Sequence, residues 1–125
     1  MNKALTFLLG APAVVFVIIG ASWWVVPTFV APRLGMAVQE GVGLSSQIGD
    51  LGSFFTVMGA CILIALVTGN RSWFRPALML IGVAAAGRVV AWTFHDAALA
   101  WDMLAVEVPV AALLLFASTR EAPPS

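Results

Sequence analysis

The sequence predicts an all-α fold, an integral membrane four-helix bundle with both termini on the cytoplasmic side. Three observations predict it. First, 62% of the 125 residues are hydrophobic and only 10% are charged, whereas soluble domains carry about 25% charged residues. Second, the apolar residues fall into four runs, 4–26, 48–67, 76–94 and 101–117, each close to the ~20 residues a helix needs to cross a bilayer. Third, the basic residues are unevenly placed. With the N-terminus inside, Lys3, Arg71, Arg75 and Arg120 fall on the cytoplasmic side, and Arg33 alone lies in the loops opposite, the asymmetry that orients membrane helices.

The first run, 4–26, follows Met1-Asn2-Lys3 and has the layout of a signal peptide. It is longer than the ~7–15-residue apolar core of such a peptide and ends in Trp23-Trp24 before Pro27, so it is expected to be retained as a span. The second run closes at Gly69-Asn70, and Pro76 stands in the first turn of the third. Backbone in hydrocarbon must satisfy its own hydrogen bonds, so each run is expected to be helical. No strand-like alternation points to a β-barrel. The whole chain, 1–125, is expected to be one transmembrane domain.

The longest connection, 27–47, lies on the exterior side in this topology. It mixes apolar residues with Gly35, Gly41, Gly43 and Ser45-Ser46 and is too apolar for a plain solvated loop. The stretch from Leu34 to Val38 is expected to lie along the interface as a short helix, or to fold over the mouth of the bundle. Acidic residues gather on the same side: Glu40, Asp50, Asp96, Asp102 and, within the fourth run, Glu107.

Arg88 stands inside an otherwise apolar span, where an uncompensated charge costs several kcal/mol and so marks a buried contact or a site. Glu107 is its expected partner. The two are almost symmetric about the short link 95–102. In an antiparallel hairpin both lie roughly 14 Å from the middle of that link, at about 1.5 Å per residue. A separation within ~4 Å is expected. Ala84, Ala85, Ala91, Trp92 and His95 share a face with Arg88 by helical spacing, which places Trp92 to stack on the guanidinium. Gly82 and Gly87 allow close helix approach elsewhere on that span. Pro109 leaves the Ala105 carbonyl without its helical donor, available to the same cavity as Glu107.

The candidate polar site therefore comprises Arg88, Glu107, Asp50, His95 and Asp96. Two readings stand side by side: a buried ion pair fixing two helices, or a ligand or proton site in which Arg88 holds an anionic or polar head group. Asp50 either sits favourably near a helix N-terminus or approaches Arg88. His95 is the only histidine and Cys61 the only cysteine. No metal centre and no cofactor is expected, because neither a two-histidine haem nor a three-histidine zinc site can be assembled. Nucleophile elbow, phosphate loop and cysteine pair are all absent from the sequence.

The order of features resembles a bacterial family of small four-span membrane proteins designated domain of unknown function 4345. The resemblance covers roughly 32–118 and rests on Leu34-Gly35, Gly59, Gly87-Arg88, Asp96 and Glu107. Gly52 stands where that family often has a basic residue. The resemblance implies the four-span fold and a bacterial inner-membrane location; it carries no chemistry.

Three functions fit the sequence. A structural or accessory component of a membrane assembly accords with the lack of a catalytic set. A lipid or small-molecule binding protein, enzymatic or not, would use the polar site. A small transporter is the third, although dimeric transporters of this size use an embedded acid in helix one and 4–26 has no ionisable side chain. The expected partners are membrane lipids and a larger membrane complex or a second copy. Net charge is zero and no basic arm is present, so nucleic acid is not expected.

Overall fold

The computed structural model describes residues 1–120. Glu121 and the Pro123-Pro124 tail lie outside the described residues. Among the described residues there is no strand, and four helices are long and apolar enough to span a membrane. α1 is Lys3–Val25, α2 Pro27–Arg33, α3 Gly41–Ser46, α4 Gly52–Thr68, α5 Phe74–Phe94 and α6 Trp101–Thr119. The long members are α1, α4, α5 and α6, and their bounds agree with the four apolar runs to within a few residues at most ends.

Local chemistry sets the ends. Asn2 caps α1 by accepting from Leu5 N–H at 2.7 Å. Pro27 cannot continue the hydrogen-bond ladder of α1 and instead opens α2 at its first position. Gly69, at φ +73°, ends α4 in the left-handed region, and Asn70 caps the single 3-10 turn Arg71–Trp73 that leads into α5. Hydroxyls inside the long helices bond back to the preceding turn, as Ser53 does to Gly49 O and Thr68 to Ile64 O, both at 2.6 Å. Each is thereby satisfied without solvent.

The second apolar run starts earlier than expected. Helix begins at Gly41 and passes through a π-helical turn, Gln47–Leu51, before α4. Gln47 anchors that turn. Its Oε1 accepts from Gln39 N–H at 2.8 Å and its Nε2 donates to Ala37 O at 3.0 Å. The extra residue per turn re-aims the faces of α4.

α1 packs most extensively on α4, α5 on α6, and α4 on α5, while α1 and α6 barely touch. The main core draws on all four: Leu9 and Ala13 of α1, Met58 and Ile62 of α4, Ala77 and Ile81 of α5, Val110 and Leu114 of α6. It occupies the half of the bundle nearer Lys3 and Arg120, here the basic end. The other half, the loop end, is closed differently. Trp23, Val30 and Ala31 form a second buried cluster, with Leu34, Met36 and Val38 half-buried against it. The connection 27–47 therefore folds onto the bundle. Its helical parts are α2 and α3; of the two expected arrangements of Leu34 to Val38, the short helix is not formed, because Gly35 takes φ +75° and breaks the helix there, and the segment packs on the bundle as turn and irregular chain.

Candidate functional site

α5 and α6 meet along a seam. Phe74, Ala77 and Ile81 are buried on α5, and Val110, Leu114 and Ala117 on α6, in the three- and four-residue steps that keep one helix face inward. Two turns beyond Ile81 stands Arg88; one step beyond Val110 stands Glu107. The seam thus ends in charge. Arg88 Nε–H donates to Glu107 Oε1 at 2.5 Å, with side chains 33% and 11% exposed. This is the one ion pair among the described residues, at the separation the hairpin symmetry requires.

Around the pair the helices part. A cavity of about 230 Å³ lies between α1 and α6, walled by Phe16, Phe54, Phe55 and Met58 and floored by Ile81, with Arg88, Glu107 and Asp102 as its polar members. A neighbouring cavity of about 210 Å³ shares Leu34, Phe54, Phe55, Arg88 and Met103 with it. Arg88 therefore lines both. Its guanidinium has five N–H donors, and Glu107 is their only protein partner among the described residues. Glu107 likewise makes one bond, through Oε1. A guanidinium with spare donors beside apolar aromatic walls is suited to a molecule with a hydrogen-bond-accepting head and an apolar body.

The other sequence-selected residues fall elsewhere. Asp50 is exposed on the π-helical turn and lines neither cavity. Because the helix starts at Gly41, Asp50 is also too far along to serve its N-terminus. His95 and Asp96 are exposed and make no side-chain bond. Asp96 has a backbone role: at φ +56° it turns the chain so that Ala97 N–H reaches Ala91 O at 3.2 Å, closing α5. Aspartate is among the few residues that tolerate this conformation. Trp92 is half-exposed and does not stack on Arg88; the cation–aromatic pairs are Arg33 with Phe29 and Arg120 with Phe116. Ala105 is exposed and outside the cavity lining, so its freed carbonyl does not join Glu107 there. Nothing lies within 4 Å of a Cβ placed at Gly82 or Gly87, so the close approach expected of them is not made within this chain.

Sequence reasoning did not select Asp102, Met103 or the Phe54-Phe55 pair as site residues. Paired aromatics near a span end gave a weak signal, but only the π-helical turn and the folded loop bring Phe54, Phe55 and Leu34 to Arg88. Among the described residues no group of three or more His, Cys, Asp or Glu side chains is placed to hold a metal ion. No family model, curated protein or solved structure matches the chain.

Proposed function

We propose that this is a multi-pass membrane protein, N-in and C-in in a bacterial inner membrane, whose exterior half binds an amphipathic small molecule or lipid. The head of that molecule accepts hydrogen bonds from Arg88, and its apolar body occupies the cavity between α1 and α6. One observation carries the reading: Arg88 uses a single donor on Glu107 and lines two aromatic-walled cavities. A purely structural pair gains most when each partner's donors and acceptors are filled by protein.

The test is chemical. Molecules retained by the purified protein in mild detergent are extracted and identified, for the native chain and for the Arg88→Leu/Glu107→Leu double variant, which removes both charges together. The native chain should retain an amphiphile that the folded double variant has lost. Equal retention, or none by either, rejects the site. The topology is tested separately by cysteine-accessibility labelling: a cysteine in 36–40 should label from outside and one at Arg120 from inside.

A second reading, an accessory component of a membrane assembly or a homo-oligomer, is favoured by α5. Gly82, Ala86 and Gly87 give it a small-residue surface that no helix of this chain covers, the kind of surface on which membrane helices associate. Defined stoichiometric partners in mild detergent would support it. No observation favours the transporter.

A further inference from the structure

The basic end of the bundle holds a cavity unrelated to the Arg88–Glu107 pair. It measures about 320 Å³ and lies between the first turns of α1 and the link from α4 to α5, lined by Met1, Thr6, Ala65, Leu66, Gly69 and Arg71. Arg71 enters it from the 3-10 turn, which Asn70 fixes by accepting from Ser72 N–H at 3.1 Å. The Arg71 Nη1 atom is buried and has no hydrogen-bond partner among the described residues. A buried charged donor left unsatisfied is costly, so a water, ion or ligand that accepts from it is favoured there. Among the described residues no acidic side chain lies at this end. Lys3, Arg75 and Arg120 lie at the same end, and the acidic side chains among the described residues, Glu40, Asp50, Asp96, Asp102 and Glu107, are all at the loop end or in its half of the bundle. The positive end of the α1 dipole faces the same way.

We propose that this cavity binds a phosphate group, with Arg71 as its principal donor. Phosphate matches a guanidinium in charge and geometry. Two sources present it: a phospholipid headgroup and free phosphate. The apolar flanks favour the lipid, because Phe7 and Val67, next in sequence to the lining residues Thr6 and Leu66, are 71% and 85% exposed and offer its chains an apolar surface.

The experiment uses the full-length, delipidated protein. Native mass spectrometry measures retention of phosphatidylglycerol and of diacylglycerol, which shares the chains and lacks the phosphate. Phosphorus NMR line broadening measures binding of inorganic phosphate. Phosphatidylglycerol should be retained over diacylglycerol. Arg71→Gln should lower that retention about tenfold, the equivalent of ~1.4 kcal/mol, and Arg71→Lys should lower it less. Arg75→Gln, at an exposed position outside the cavity lining, should leave it near native. Thr6→Leu keeps Arg71 and obstructs the cavity, so it should also reduce retention, which keeps the test decisive if Arg71→Gln does not fold. Arg71-dependent binding of inorganic phosphate without lipid binding would uphold the phosphate site and assign its source to solution. Equal retention of the two lipids with no phosphate binding, or full retention by folded Arg71→Gln and Thr6→Leu, overturns the proposal.

Discussion

The α1/α4 pair is more apolar than the α5/α6 pair, and the two are held together by different means. α1 and α4 approach through backbone. A Cβ on Gly20 would collide with the Thr56 side chain and lie 2.8 Å from Thr56 N and 2.9 Å from Gly52 O; one on Gly59 would lie 2.5 Å from Ala13 O and 2.7 Å from Val17 Cγ2. These glycines let two helix backbones touch. α5 and α6 meet through side chains: an aliphatic seam finished by Arg88–Glu107. Where helices have no hydrophobic drive to separate from an apolar surrounding, association rests on close packing or on polar bonds. This protein uses one device in each half. The two cavities beside Arg88 lie where the charged pair of α5 and α6 faces the aromatic residues of α1 and α4.

Three measurements break or sharpen that contrast, the largest effect first. Glu107→Ala should destabilise the protein by about 3 kcal/mol, the low end of the range for breaking a buried pair, because Arg88 is one-third exposed and regains some solvation. Arg88→Ala should also destabilise, and Arg88→Ala/Glu107→Ala should cost less than the two single changes added. Thermal unfolding in a fixed detergent reads all three. Strict additivity would mean that the pair contributes nothing to the α5/α6 seam.

Next come Gly20→Ala and Gly59→Ala, each expected to cost about 1–3 kcal/mol by overpacking. The obstacles include backbone atoms, which cannot rotate aside as a flexible side chain does. Loss of the α1–α4 contact should precede loss of α5–α6 on heating, and a disulfide or spin-label pair across each interface would report the order. A native Tm for both variants would show that the helices do not meet where these glycines place them.

The smallest effect belongs to Gly82→Ala and Gly87→Ala. With nothing within 4 Å of either position, each should stay within about 1 kcal/mol of native, on the stabilising side by helix propensity. A cost as large as that of Gly20→Ala in the purified protein would reveal a second chain or copy against α5 and would turn the contrast into one between two closely packed faces.

Much of this architecture is legible in the sequence. Uninterrupted apolar runs of about the right length give the four long helices, and Pro27, Gly69 and Pro76 punctuate them. The depth of Arg88 and Glu107 comes from counting residues along two helices joined by a short link, and an unpaired charge among apolar neighbours demands a partner. These features are properties of position along one dimension, which sequence supplies directly. Rotation about each helix axis is different. A helix apolar on all sides carries no amphipathic stripe to say which face turns inward. That is why the sequence points to Gly82 and Gly87 for a close contact that Gly20, Gly52 and Gly59 make instead, with the Trp24 indole lying against Gly52. It is also why Asp50 and His95 group with Arg88 on sequence grounds, though they are exposed and line neither of its cavities. The π-helical turn anchored by Gln47 rotates the whole of α4 about its axis, and no apolar count registers it. Sequence by itself determined how many long helices there are, how deep the charges lie and which charges must meet. Tertiary packing alone decided which faces touch, where the helices part to leave the two cavities beside Arg88, and that Nη1 of Arg71 is buried at the other end with no partner among the described residues, because each of these depends on the angle of a helix about its axis rather than on the order of its residues.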